Sequence, residues 1–307
     1  MTAPSRYALA LVLLVAVLGI SISGPLVRLS RAPAITIAVW RVGIALVVIV
    51  GMLVATGQWR QWRRLDRPAL MVAVLAGIAL ALHFWSWNAS IALTTVAASV
   101  VLVNTQPIVV AILSVAWLHE VPTRRQWLGI AVAMGGALII AIPDLLTSRA
   151  TATARNPILG DMLALVGAIT AGIYYVSGRR LRATLDLWPY VGLVYGACLV
   201  ALLALAMAVR APVLGQPPRE LAIFTALALG PMLLGHTGLN WTLKYLPAYV
   251  VNLTLLGEPV GATLIAAFLP DIREVPSVTT FVGGALVLCG VLVAAWTARA
   301  MTDADER

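Results

Sequence analysis

Ten apolar stretches of roughly twenty residues follow one another along the chain, and no other feature restricts its fold as strongly. They run from Tyr7 to Val27, Ala34 to Ala55, Ala69 to Leu93, Val96 to Leu118, Gln126 to Ile142, Pro157 to Gly178, Trp188 to Val209, Leu221 to Leu243, Ala248 to Leu269 and Thr280 to Thr297. A segment of that length covers the ~30 Å of hydrocarbon in a bilayer. Within that layer there is no water to satisfy backbone N–H and C=O groups, so each span must be a helix. The charged fraction, 11%, lies far below the roughly 25% of a soluble domain and excludes the alternative of ten buried core helices. The expected fold class is an all-α membrane protein with ten transmembrane helices. The first span follows Arg6 and is too long for a signal-peptide core, so it is read as the first of the ten.

The chain also repeats itself. Gln106-Pro107 in the fourth span and Glu258-Pro259 in the ninth occupy equivalent places, as do Glu120-Val121-Pro122 and Glu274-Val275-Pro276 further on. In each copy a glycine follows the second proline by seven residues and another follows after seven more: Gly129 and Gly136, then Gly283 and Gly290. Asn88 and Asn240 each precede the first proline by nineteen residues. The expected organisation is therefore a five-helix repeat over residues 1–143, a linker at 144–156, a second repeat over 157–298 and a short tail at 299–307. A repeat with an odd number of spans must cross the membrane in the opposite sense in its second copy. Inverted duplication of this kind is an architecture of secondary transporters, with the substrate site near the midplane between the repeats.

Basic residues set the orientation. With the N-terminus cytoplasmic, 13 Lys and Arg fall in the inner segments and 7 in the outer ones, which places both termini inside a cytoplasmic membrane. The net charge of +9 is made of short arginine clusters between apolar runs, so it is a topology signal and implies no nucleic-acid partner. Cys198 and Cys289 lie in apolar spans without paired spacing. No G-x-x-x-x-G-K-[ST] loop, H-E-x-x-H helix or G-x-S-x-G elbow occurs, and the three histidines have no zinc-ligand spacing, so no enzyme, metal or cofactor is expected.

Two five-helix copies, each with a mid-span (Q/E)-P, then E-V-P, then G-x6-G, resemble the EamA type of the drug/metabolite transporter superfamily over nearly the whole chain. The resemblance implies helices of both repeats around a central cavity, with the last helix of each toward the periphery. It also implies export of small molecules, and the amino-acid exporters of the family, broad-specificity and aromatic, are the subgroup favoured. Few fixed charges lie within the spans, which suits a zwitterion better than a polyanionic sugar phosphate. Hydrophobic cations are the alternative substrate class, since aromatic faces attract cations, and a membrane-embedded enzyme is the remote one. The expected partners are an amino-acid substrate and the lipid bilayer, with the chain a monomer or weak homodimer.

Several residues stand out as candidates for the cavity. His83 and Trp87 share a helix face; they are read either as a cavity wall or as a core histidine beside an interfacial aromatic belt. His236 and Asn240 share one in the eighth span, beyond Pro231, which is expected to bend that helix. Tyr174 stands on a polar face with Thr170 and Ser177. Asn104 and Asn252 precede the prolines of the fourth and ninth spans, where an amide can satisfy carbonyls a proline leaves free or bind substrate. Pro107 and Pro259 mark the helices expected to bend around the substrate. Glu258 is a carboxylate near a span centre, hence a candidate for proton coupling, although Gln106 opposite it in the repeat points equally to a structural pair. Arg41, about two turns from the outer end of its span, is read either as near enough to snorkel outward or as a partner of Glu258.

Overall fold

The computed structural model of the chain describes residues 4–94, 96–148, 156–268 and 278–305. The second E-V-P motif at 274–276, residues 149–155 of the expected linker and the last two residues of the tail lie outside them. The described residues are helical, with no strand among them. Among the described residues, six helical runs are long and apolar enough to cross a membrane: Arg6–Leu29, Ala34–Thr56, Arg67–Leu93, Pro157–Arg182, Leu187–Ala208 and Pro218–Thr242. Shorter apolar helices cover Gln106–Leu118 and Phe281–Val293.

In chain order the elements are α1 (Arg6–Ser21), α2 (Ser23–Leu29), α3 (Ala34–Thr56), a 3₁₀ turn Gln58–Arg64, α4 (Arg67–Leu93), α5 (Val96–Val103) and α6 (Gln106–Leu113). A π-helical turn, Ser114–Leu118, leads to α7 (Arg124–Ser148), α8 (Pro157–Arg182), α9 (Leu187–Ala208) and α10 (Pro218–Leu227). A π-helical stretch, Ala228–Thr237, joins α10 to α11 (Gly238–Thr242), followed by α12 (Ala248–Thr254), a 3₁₀ turn Leu255–Gly257, α13 (Glu258–Phe268) and α14 (Val278–Asp305).

Proline has a different effect at each of its three sites. Pro107 and Pro259 each lie in the first turn of a helix, α6 after the turn at Asn104–Thr105 and α13 after the 3₁₀ turn Leu255–Gly257. A first-turn residue has no intrahelical partner for its N–H, so proline fits there without loss. Pro231 neither interrupts nor ends its helix. The backbone around it widens into the π-helical stretch, which accommodates the ring and the missing donor while the run continues to Thr242.

The outward helix faces are apolar, as a lipid-facing surface must be. Tyr7, Leu11, Leu14 and Leu18 line one such face on α1, and Leu70, Met71, Val74, Leu75 and Ile78 another on α4. Inside, small residues let helices approach. A Cβ on Gly136 of α7 would come within 2.7 Å of the Val287 nitrogen of α14, and one on Gly290 would come within 2.7 Å of the Ala133 Cβ. The glycines of G-x6-G are thus packing residues that join the last helices of the two halves. The other contacts come in matched pairs. α8 packs against α4, α5 and α6, while α1 packs against Ala228–Thr237, α11, α12 and α13.

Two sets of polar contacts close the bundle, one at each end. At the end where α3, α8 and α11 terminate, the near end, Arg179 Nε lies 2.7 Å from Glu120 Oε1 and its Nη1 donates to Leu243 O at 2.7 Å and Lys244 O at 3.2 Å. Glu120 Oε2 accepts the Ala248 N–H at 3.3 Å. Beside this latch, Asp186 accepts from Gln61 Nε2 at 2.7 Å and from Lys244 Nζ at 3.4 Å, and these partners hold its carboxyl below the usual range. At the far end Glu220 accepts from Ser30 Oγ at 2.5 Å, the Arg31 N–H at 3.1 Å and Arg219 Nη1 at 3.0 Å. Arg28 Nη1 reaches Ile91 O there at 3.4 Å.

A carboxylate with a depressed pKa stabilises the fold at pH above its unfolded value, and that contribution is lost as pH falls through the folded value. Asp186→Asn is therefore expected to lower the melting temperature at pH 7 by the equivalent of at most about 1 kcal/mol, because the pair is about a third exposed. The difference from the unsubstituted protein should shrink as pH falls below the usual carboxylate range and vanish once Asp186 is protonated in the folded protein, measured by thermal unfolding in detergent.

Candidate functional site

Between the two closed ends a small chamber of about 30 Å³ lies at the junction of α1, α2, α3, α4, α6, α8, Ala228–Thr237 and α13. It holds one or two water molecules at most. Six of the residues singled out in the sequence line it: Arg41 from α3, His83 and Trp87 from α4, Gln106 at the start of α6, His236, and Glu258 at the start of α13. Ser23, Phe84 and Tyr175 line it too. All of these side chains are buried.

The rings form a connected wall. His83 and Trp87 stack nearly parallel, 3° apart with centroids 6.4 Å apart. Trp87 is 4% exposed, which places it in the interior rather than in an interfacial belt. His83 Nδ1 lies 2.9 Å from Gly167 O; a carbonyl only accepts, so Nδ1 carries the hydrogen and, in the neutral ring, Nε2 is the acceptor. His236 meets Phe84 edge to face at 5.2 Å, and its Nδ1 lies 3.2 Å from the Tyr175 hydroxyl. One α-helical turn separates His83 from Trp87, which is why a single face of α4 delivers both.

Arg41 does not snorkel. It is 1% exposed, and its guanidinium carbon sits 4.1 Å from the Phe84 ring centre, a cation–π arrangement that offsets part of its desolvation. Its Nη1 reaches Ser23 Oγ at 3.5 Å, and its Nε has no hydrogen-bond partner. Spacing alone cannot tell a snorkelling arginine from a buried one, because the difference lies in how α3 is rotated against its neighbours. The signal was present nonetheless: a charge inside an apolar span. Glu258 faces the same chamber, yet no ion pair within 4.0 Å joins it to Arg41 among the described residues.

Gln106 and Glu258 begin the half-helices α6 and α13, so the pair that the repeat predicts meets at the chamber wall, each at a helix N-terminus. The remaining candidates lie behind it. Asn104 is buried beside the Glu258 carboxyl, and its Nδ2 donates to Val100 O at 2.8 Å within its own span. Tyr174 is buried and accepts a hydrogen bond from Asn240 Nδ2, which also reaches His236 O at 2.8 Å. Asn252 is buried in α12 with neither side-chain amide atom partnered.

A second pocket of about 670 Å³ opens at the near end between the 3₁₀ turn Gln58–Arg64, the start of α4 and the end of α8. It is larger, but it lies at the surface and shares no lining residue with the chamber. The chamber is where polar groups are most costly to maintain, and that cost marks it as the candidate site.

The fold and chamber define a multi-pass helical membrane protein with a polar centre. The chain belongs to the EamA-like transporter family, whose profile matches it twice, over residues 7–142 and 158–296. It is 26% identical over 234 residues to the uncharacterized transporter YdfC of Bacillus subtilis (strain 168), covering 74% of this chain and 70% of that one. An uncharacterized transporter in the cobO 3'region of Sinorhizobium sp. is 28% identical over 102 residues, 33% of this chain and 72% of its own. A crystal structure of another protein superposes on 97% of this chain and 99% of its own, with a TM-score of 0.77 at 18% identity, a likeness of fold alone.

Proposed function

We propose that this protein is a secondary transporter that exports amino acids, with broad tolerance of aromatic and other neutral side chains, across the cytoplasmic membrane. It works by alternating access. Two inverted five-helix repeats, ten crossings in all, would rock about the chamber, with both termini and the near end in the cytoplasm. The observation that carries this reading is the buried chamber itself, built from both halves and held between two latched ends. Inversion is supported by matched contacts: Arg28 caps Ile91 O at the far end, Arg179 caps Leu243 O at the near end, and Ile91 and Leu243 each stand sixteen residues before the repeat proline. At 30 Å³ the chamber is far smaller than the ~300–1,000 Å³ of ligand pockets, so a substrate enters only when one end opens. Hydrophobic cations are the second class to consider, but the buried guanidinium of Arg41 in the same chamber repels them.

Proteoliposomes loaded with radiolabelled leucine or phenylalanine test this directly. Saturable efflux is expected, accelerated by unlabelled amino acid outside. Efflux of an aromatic cation without efflux of any amino acid would overturn the reading. Imposing a pH difference separates proton exchange from facilitated efflux, and Glu258→Gln assigns the coupling. If Glu258 carries the proton, that variant still exchanges amino acid at saturating concentration and ignores the pH gradient.

A further inference from the structure

The chamber holds more unmet hydrogen-bonding and charge capacity than its own residues use. Arg41 Nε and Trp87 Nε1 are both buried donors without a partner, and both residues line it. Glu258 lines it as well; its side chain is hydrogen-bonded to Asn104, but no ion pair within 4.0 Å joins it to Arg41 among the described residues. Burying a guanidinium and a carboxyl group in one small space without pairing them is costly, and such a cost within a membrane span points to a functional role.

Building on the amino-acid reading above, we propose that Arg41 and Glu258 form a two-ended receptor for the zwitterionic head of an α-amino acid. Arg41, with its fork of donors, and the Trp87 indole N–H take the α-carboxylate. Glu258 takes the α-ammonium at the opposite side. The ligand thereby supplies a counter-charge to each residue. The side chain of the ligand lies against the rings of Phe84, Tyr175 and His236, apolar faces with few directional demands. Specificity would then rest on the charged head, and the breadth over side chains follows from it. An amine without a carboxylate, including an amphipathic drug, leaves Arg41 buried and unpaired beside a second positive charge, so it is excluded.

Inhibition of radiolabelled leucine counterflow in proteoliposomes tests the receptor without any substitution. Leucine and phenylalanine are expected to compete, while leucinamide, which lacks the carboxylate, and N-acetylleucine, which lacks the ammonium, should bind about tenfold or more weakly. Arg41→Gln should weaken leucine by a similar factor and bring leucine and leucinamide level. Glu258→Gln should instead bring leucine and N-acetylleucine level; a Glu258→Gln protein that binds leucine normally would show that Glu258 does not receive the ammonium. Arg41→Lys keeps the charge but loses the fork, so an intermediate affinity is expected. If leucinamide or N-acetylleucine competes as well as leucine against the unsubstituted protein, the receptor is wrong while amino-acid transport stands. If no amino acid moves at all, both fall together.

Discussion

Arg179→Ala is expected to unlatch the near end. Its guanidinium joins three connections that are remote in sequence: Glu120 before α7, Leu243 and Lys244 at the end of α11, and, through Glu120, the N–H of Ala248 that opens α12. A charge-assisted hydrogen bond contributes roughly 1.5–3 kcal/mol when buried. The Arg179 and Glu120 side chains are 25% and 22% exposed, so the set is worth less than the sum of its bonds, about 2–3 kcal/mol. That energy favours the state closed at this end, so its loss shifts the population toward the open one. Two measurements should move together. The melting temperature falls, and hydrogen exchange at the Ala248 amide accelerates while that of the far-end helices does not. The exchanged pair, Arg179→Glu with Glu120→Arg, should recover part of the protection, because the ion pair can re-form although the carbonyl bonds cannot. Unchanged exchange at Ala248 in Arg179→Ala would show that the latch does not hold this end.

Gly77→Val is expected to separate α4 from α9. A Cβ at position 77 would stand 2.6 Å from both Val194 O and Ala197 Cβ, and 2.9 Å from the Cys198 nitrogen. Two of those three atoms are backbone, so no side-chain rotation relieves the clash and the helices themselves must part. Overpacking of a close interface typically costs 1–3 kcal/mol, and a backbone contact puts this site at about 3 kcal/mol or more. The same α4 carries His83 and Trp87, so displacing it also disorders the chamber wall, and counterflow should fail together with stability. Gly51→Ala supplies the contrast. Nothing lies within 4 Å of a Cβ there, and the change should raise stability by up to about 1 kcal/mol, the helix-propensity difference between the two residues. Equal melting temperatures for Gly77→Val and the unsubstituted protein would refute the close-packing account.

The sites of the most damaging substitutions were partly visible in the residues themselves. Gly136 and Gly290 were visible as markers of the repeat, and small residues at such positions are what closely packed membrane helices require. Gly77 carried no such pattern, because its partner on α9 is defined only by how two helices remote in sequence cross. His83 and Trp87 shared a face in any helical reading, and the chamber uses that face. Tyr174, Asn104 and Asn252 were equally polar and equally buried, yet they stand one layer behind the wall. Periodicity fixes a residue's angle relative to its own helix; it does not set that helix's rotation in the bundle.

Arg41 and Glu258 show where the division falls. The hydrocarbon of a bilayer leaves a backbone no choice but the helix, so the apolar spans, the duplicated Q/E-P, and the presence of two charges within the spans were all determined by the order of residues. Whether those charges met was not. A charged side chain two turns into a span can reach the interface or turn inward, and only the packing of α3 against α4 put Arg41 over Phe84 and in the same chamber as a carboxylate 217 residues further on. The turns before Pro107 and Pro259 were decided in the same way. Proline forbids a continuous hydrogen-bond ladder, but neighbouring helices determine how the chain turns there, and here a helix begins at Gln106 and another at Glu258, both facing the centre.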